Sequence, residues 1–257
     1  MLRFLTDRLH GRTAPVTSVA ACVPEDVLVC AIGDVHGRLD LLVDIEEKIA
    51  RFAAGRPESV RRIVCLGDYI DRGYQSLEVI DHLRGPAPDG FERICLLGNH
   101  EDYLLRFFVS TVEGPAWLAN GGRETLMSYG VMLPPGTASP DDIEQARNEL
   151  LVRMPDSHLE FLRSLVTYHV EGDYLFVHAG IRPRVSLEAQ QTEDLLWIRE
   201  RFLSSDVDHG YIVVHGHTVV EEPAVCPNRI GIDTGAYASG RLTALVLAGD
   251  MRTFLRT

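Results

Sequence analysis

The chain has 257 residues, 46% of them apolar, enough for one large α/β domain with a sizeable core. Its 25 basic residues stand against 37 acidic ones, a formal charge of −12, which argues against a nucleic-acid or membrane-surface binder with a basic face. The five cysteines (Cys22, Cys30, Cys65, Cys95 and Cys226) are odd in number and never spaced C-x-x-C, so neither a disulfide framework nor a zinc ribbon is indicated and a reducing compartment fits.

Residues 1–25 are weakly patterned and read as an N-terminal arm. Their longest apolar run, Val19 to Val23, is too short for a signal-peptide core or a membrane span, so a cytoplasmic protein is expected. From Asp26 the organisation sharpens. A strand over 27–32 leads into Gly33-Asp34-Val35-His36-Gly37-Arg38, and a helix over 39–53 follows with Leu39, Leu42, Ile45, Ile49 and Phe52 on one face. Gly55 and Pro57 end it. A second strand over 62–66 leads into Gly67-Asp68-Tyr69-Ile70-Asp71-Arg72-Gly73, with a helix over 75–84. A third over 92–97 leads into Gly98-Asn99-His100-Glu101, and Glu101 to Val109 begins a helix. This β-α-β-α-β order predicts parallel strands with right-handed crossovers.

Residues 110–163 are helical in pattern, broken at Gly114-Pro115, Gly121-Gly122 and Pro134-Pro135-Gly136. They read either as a helical cover on the sheet or as a cap that shapes the substrate site. Strands return over 167–170 and 174–178, around the hairpin signal Glu171-Gly172-Asp173. A helix is predicted over 193–202, then a strand over 211–214 ending in His215-Gly216-His217-Thr218. Further strands, mostly hairpin-connected, are expected around Val225 and over 229–232, 242–247 and 251–255.

The polar residues that end these strands form a pattern. Taken singly, a His at a strand end is usually structural, and an Asp beside Gly usually makes a turn. Five strand ends, each carrying Gly-Asp, Gly-Asn, His-Ala-Gly or Gly-His, exceed what turn chemistry needs. Asp34, His36, Asp68, Asn99, His178 and His217 together make a mixed oxygen and nitrogen donor set. Such a set suits Mn²⁺, Fe or Zn²⁺ better than Ca²⁺ or Mg²⁺. Six donors are too many for one catalytic ion with an open position, and suit two ions about 3.5–4 Å apart that share a carboxylate. His215 reads as the last residue of its strand rather than as a ligand.

The ordered motifs GDVHGR (33–38), GDYIDRG (67–73), GNHE (98–101), VHAG (177–180) and GHT (216–218) resemble those of calcineurin-like metallophosphoesterases. More narrowly they resemble the bacterial and bacteriophage members of the phosphoprotein phosphatase (PPP) serine/threonine phosphatase family. The resemblance implies a four-layer α/β (α+β) sandwich, two mixed β-sheets flanked by helices, over residues 26–257. It implies that Asp34 and His36 bind a first divalent ion, that Asp68 bridges, and that Asn99, His178 and His217 bind the second. It makes His100 the general acid, oriented by Asp71. Arg72 becomes a phosphate clamp, Arg199 a second one, and Asn99 adds a contact to phosphate. Mn²⁺ is the expected ion, with Fe or Zn²⁺ as alternatives.

These roles fit the chemistry of a phosphate monoester. Two dications offset the dianion's charge and acidify a bound water. Arginine offers phosphate a planar fork, and a serine alkoxide needs a proton on leaving. In-line attack by metal-bridging hydroxide, without a phosphoenzyme, is expected. The favoured substrate is a phosphoprotein or phosphopeptide, with no nucleic acid or membrane as partner. The alternative is a symmetrical diadenosine tetraphosphate hydrolase, and a third reading is a non-catalytic scaffold. Glu101, where dinucleotide hydrolases more often have Asp, leans toward the protein phosphatase. Val219, where the wider superfamily often has a further His, leans away from nuclease and cyclic-nucleotide phosphodiesterase types.

Overall fold

The computed structural model describes residues 21–257, so the expected arm lies outside the described residues up to residue 20. In chain order the first elements are β1 (Val27–Ile32), α1 (Leu39–Ala53), β2 (Val60–Cys65), α2 (Ser76–Arg84), β3 (Glu92–Cys95) and α3 (Asn99–Val109). A helical stretch follows: α4 (Gly114–Trp117), a π turn over Leu118–Gly122, α5 (Arg123–Ser128), α6 (Pro140–Arg153) and α7 (Asp156–Ser164). Then come β4 (Tyr168–Glu171), β5 (Tyr174–Val177), α8 (Thr192–Trp197), α9 (Glu200–Leu203), β6 (Ile212–His215), β7 (Ala224–Cys226) and β8 (Arg229–Gly231). The chain closes with α10 (Ala236–Ser239), β9 (Thr243–Ala248) and β10 (Met251–Arg256).

Two five-stranded sheets result, ordered β10-β9-β1-β2-β3 and β4-β5-β6-β8-β7. In the first, β1, β2 and β3 run parallel, as the alternation of strand and helix dictates, and the β9–β10 hairpin adds antiparallel to β1. In the second, β5, β6 and β8 run parallel, with β4 and β7 antiparallel at the edges.

Side-chain alternation along the strands builds four layers. On β1, Leu28, Cys30 and Ile32 face the helical side with Leu42, Ile45 and Ile49 of α1. Val27, Val29 and Ala31 face the other way, meeting Tyr174, Phe176, Val214 and Ile230 of the second sheet. Leu175, Val177 and Val213 then point outward to Leu195, Ile198 and Phe202 on α8, α9 and the turn between them. The stretch 110–163 joins the first helical layer: Trp117, Leu126, Ile143, Leu150 and Leu162 share one core with α1 and β1. Among the described residues no helix is long and apolar enough to cross a membrane.

Several strand ends shift by one or two residues from expectation, as in β2 (Val60–Cys65) and β3 (Glu92–Cys95), and two helix boundaries bear on the site. The helix expected at Glu101 begins at Asn99, so Asn99 and His100 sit in its first turn. The single helix predicted over 193–202 is two short ones, broken at Ile198 and Arg199, and Arg199 takes non-helical angles (φ −129°, ψ −108°).

One buried ion pair ties the outer layer to the first sheet. Glu46 of α1 accepts from Arg93 of β3 (Nη2, 2.7 Å) and contacts His82 of α2 (Nε2, 2.6 Å). The Arg93 and Glu46 side chains are only 5% and 6% exposed. Replacing Glu46 by Ala leaves the buried Arg93 guanidinium without its counter-charge, with only the carbonyls of His82, Leu83 and Gly85 as acceptors, and should destabilise the fold by about 3 kcal/mol, read by denaturant unfolding. Burial pushes the Glu46 carboxyl upward, but His82 and Arg93 outweigh it and hold the pKa below the ordinary 4.5. A depressed folded pKa stabilises above the unfolded value and is lost as pH falls through the folded one. The stability gap between wild type and Glu46→Gln should therefore be full at pH 7 and shrink below about pH 4.5.

Candidate metal centre

The parallel strands β1, β2, β3, β5 and β6 deliver their carboxyl ends to one edge of the sandwich. The loops there hold unusual backbone. Six non-glycine residues among those described have positive φ, and five of them are His36, Asp68, Asp71, Arg72 and His217. Such conformations persist only where surrounding structure over-determines them, and they cluster at functional sites.

Asp68 lies at the middle. Its Oδ2 is 3.6 Å from His36 Nε2 and 3.8 Å from His100 Nε2, and its Oδ1 is 3.4 Å from His178 Nε2. Two triplets each bring three donor atoms within 4.8 Å of one another: His36, Asp68 and His100, and Asp68, His178 and His217. Asp68 belongs to both, as a shared carboxylate must. Burial works to raise its pKa, but the imidazoles of His178, His100 and His36 outweigh burial and hold it below the ordinary range.

The donor chemistry fits cations. His36 Nδ1 is 2.8 Å from the Ile70 carbonyl and His178 Nδ1 is 2.9 Å from the Leu66 carbonyl. Each Nδ1–H donates to its carbonyl, which turns the Nε2 lone pair inward. His178 Nε2 then converges with Asn99 Oδ1 (2.8 Å) and Asp68 Oδ1 (3.4 Å), lone pairs with no proton among them. His217 Nδ1 is also 2.8 Å from Asn99 Oδ1. Asp34 Oδ2 accepts the His217 backbone N–H (2.9 Å), which links the loops of β1 and β6. Among the described residues, Asp34 Oδ1 and His217 Nε2 are buried polar atoms with no hydrogen-bond partner. Asp34 Oδ1 is the kind of orphan a metal ion satisfies, whereas the His217 nitrogen that meets Asn99 is Nδ1, not the orphaned Nε2. Gly216 packs against Asp34 so closely that a Cβ there would lie 1.9 Å from Oδ1. Burial, then Asp233 and Asp68, raise the Asp34 carboxyl well above its ordinary value.

His100 differs from the other imidazoles. Its Nδ1 is 2.6 Å from Asp71 Oδ2. Burial alone would lower its pKa, but the Asp68 and Asp71 carboxylates together raise it, so the ring tends to keep a proton. His36 and His178 go the other way, lowered chiefly by burial. Burial and then His178 bring His217 down to about 2. Neutral imidazoles suit ligands, and a protonated one suits an acid.

The two arginines sit at the rim. Arg72 Nη1 is 2.9 Å from His36 Nε2, and its guanidinium lies over the Tyr237 ring at 4.6 Å. Arg199 is exposed and donates from Nη1 to Thr218 Oγ1 at 3.3 Å. The break between α8 and α9 is what brings Arg199 to His217's neighbour. His215 joins neither triplet: it is buried, its Nδ1 is 3.1 Å from the Gly216 carbonyl, and Phe202 meets it edge-on at 5.2 Å.

Glu101 proves to be internal. It is fully buried, and its carboxylate accepts backbone N–H groups from Asp68, Tyr69, Ile70 and Gly98. Burial and Asp68 push its pKa up to about 8, while those N–H groups oppose the rise. Its carboxyl group therefore braces two site loops. Sequence reasoning missed Trp117 and Thr125, which bind Asp71, and Tyr237, which stacks on Arg72. Their partners are 46, 54 and 165 positions away, a distance that leaves no local signal.

A family model described as calcineurin-like phosphoesterase matches residues 27–242. The bis(5'-nucleosyl)-tetraphosphatase PrpE (asymmetrical) of Anoxybacillus flavithermus is 26% identical over 239 residues, covering 83% of this chain and 88% of its own. Serine/threonine-protein phosphatase 2 of Salmonella typhimurium is 27% identical over 224 residues, covering 84% of this chain and 90% of its own. Among solved structures, a cold-active protein tyrosine phosphatase aligns over 91% of this chain and 81% of its own with a TM-score of 0.56, at 21% identity, a likeness of fold.

Proposed function

The chain belongs to the calcineurin-like phosphoesterase family, whose members use a dinuclear divalent metal centre, and on that premise we propose that it hydrolyses phosphoserine and phosphothreonine monoesters in proteins. The observation that carries this reading is Asp68 set between His36 on one side and His178 and His217 on the other, with His100 beside it held by Asp71, and Arg72 at the rim. Two divalent ions, Mn²⁺ in this proposal, held by Asp34, His36 and Asp68 and by Asp68, Asn99, His178 and His217, would offset the phosphate charge and supply an activated water.

The chain's own residues do the rest. Arg72 and Arg199 present guanidinium groups to the phosphate oxygens from two sides of the rim, and Asn99 adds an uncharged contact. His100 gives its Nε2 proton to the departing serine or threonine oxygen, while Asp71 at Nδ1 fixes the ring and stabilises its charge. No side chain is needed as nucleophile, so no phosphoenzyme forms. The partner is a phosphoprotein or phosphopeptide, met in the cytoplasm.

A second reading is hydrolysis of a dinucleoside tetraphosphate, expected from the sequence to be symmetrical, whereas the PrpE relatives are named for the asymmetrical reaction. One assay separates the two: turnover with Mn²⁺ of a phosphoserine peptide and of diadenosine tetraphosphate, each with a chelated control. Peptide turnover that vanishes on chelation is the expected result. A preference for the dinucleotide would move the substrate and keep the metal centre. Activity on neither, with ions bound, would overturn the enzyme reading and leave a scaffold.

A further inference from the structure

We infer that Trp117 and Thr125, both from the helical stretch over residues 110–163, are positioning residues for the general acid and act on His100 through Asp71. The inference rests on the phosphomonoester reading above. Asp71 is fully buried, so no solvent water orients its carboxylate. Its Oδ2 takes two donors, His100 Nδ1 at 2.6 Å and Trp117 Nε1 at 2.9 Å. Its Oδ1 takes the Thr125 hydroxyl at 2.6 Å. The Asp71 backbone N–H reaches Thr125 Oγ1 at 2.9 Å, so Thr125 touches both the carboxylate and the main chain of one residue.

The turn between these two residues also meets Arg72. The Gly121 carbonyl accepts the Arg72 backbone N–H at 3.2 Å. Gly121 has φ +108°, and a Cβ there would lie 2.5 Å from the Arg72 nitrogen, so only glycine lets the turn come this close. Asp71 and Arg72 are consecutive residues in left-handed backbone (φ 70° and 68°), a state their own sequence disfavours. The turn from Trp117 to Thr125 helps hold them there, together with Ser76, whose hydroxyl also accepts the Asp71 N–H (3.1 Å) and meets Thr125 Oγ1 (3.0 Å).

A carboxylate bound only by an imidazole can swing about its Cβ–Cγ bond, and the imidazole swings with it. The indole on one oxygen and the hydroxyl on the other fix the carboxylate plane. That plane sets where His100 Nε2 aims its proton, and small errors in such placement cost rate. The plainer account is that Trp117 is a core residue packed on Phe107 (ring centres 4.7 Å apart) whose N–H happens to need a partner. The two accounts differ in what they predict for leaving groups.

Nitrophenolate departs without a proton, whereas a serine alkoxide needs one. Trp117→Phe keeps a ring against Phe107 and loses the N–H. Thr125→Val keeps the shape and loses the hydroxyl. In each folded variant, checked by its melting curve, the ratio of kcat on a phosphoserine peptide to kcat on p-nitrophenyl phosphate should fall by about 10-fold or more, a share of the general acid's whole effect. Combining either change with His100→Asn should lower the ratio no further than His100→Asn alone. Equal losses on both esters, or additive losses in the double variant, would overturn the inference. Wild-type protein that turns over neither ester would remove the phosphomonoester reading and this inference with it, whereas wild-type turnover with an unchanged ratio in both variants would remove the inference alone.

Discussion

His100→Asn is expected to lower turnover of a phosphoserine peptide by about 10²–10⁴ and to leave the ion content at two per chain. The magnitude follows from losing general acid catalysis on a poor leaving group. The ion content follows from how the ring is committed. Its Nδ1 is taken by Asp71, and burial is outweighed by two carboxylates that favour its protonated form, unlike the neutral imidazoles around it. Yet His100 Nε2 also approaches Asp68 Oδ2 at 3.8 Å and completes a donor triplet with His36. Metal analysis of the variant decides between the two roles. A fall to one ion would make His100 a ligand, and full activity on the peptide would remove it from the chemistry. The pH profile gives a further arm. The protonated ring is the active form, so wild-type kcat should fall on the alkaline side as the ring loses its proton. The variant should lack that fall.

Much of this centre is legible in the sequence because it is built at strand ends. A strand buried on both faces reads as an unbroken apolar run, and Gly-Asp or Gly-Asn directly after it marks where the chain leaves the sheet. β1 is buried at all six positions, and Asp34 follows it by two residues. The resemblance of the ordered motifs then distributes roles among residues that spacing alone cannot tell apart. What stays hidden is set by contacts across the chain. The start of α3 lies two residues earlier than expected because Glu101 reaches back to the Gly98 N–H at 3.0 Å, a helix-start signal that a strand-end reading passes over. Glu101 itself invites a reading about substrate, and only its burial against four backbone N–H groups shows that it braces the loops. The break at Arg199 has no glycine or proline to announce it. Trp117 shows the same limit from the other side. In sequence it is one more apolar position in a helical stretch, and its indole N–H acquires meaning only when Asp71 arrives from 46 residues away.

Asp68→Asn should reduce bound metal from two ions to fewer than one per chain and lower turnover by about 10³ or more, because an amide cannot neutralise and bridge two dications as a carboxylate does. The variant should still fold. Asp68 lies at φ 53°, a left-handed position that asparagine tolerates at least as well as aspartate. An asparagine oxygen can keep the bond that Asp68 Oδ1 accepts from the His100 backbone N–H at 3.1 Å. The Glu101 contacts that fix this loop go to main-chain N–H groups and do not involve the side chain. What changes is charge. The carboxylate faces His36, His100 and His178 within 3.4–3.8 Å, and it is the one acidic group common to both triplets. Its loss leaves each triplet with a single imidazole pair and no shared anion, so both sites should weaken together. If one ion is lost and the other keeps its affinity, Asp68 serves a single site. If two ions stay tightly held, the sharing of Asp68 is wrong, and Asp34, whose Oδ1 is buried without a partner, becomes the bridging candidate to test next.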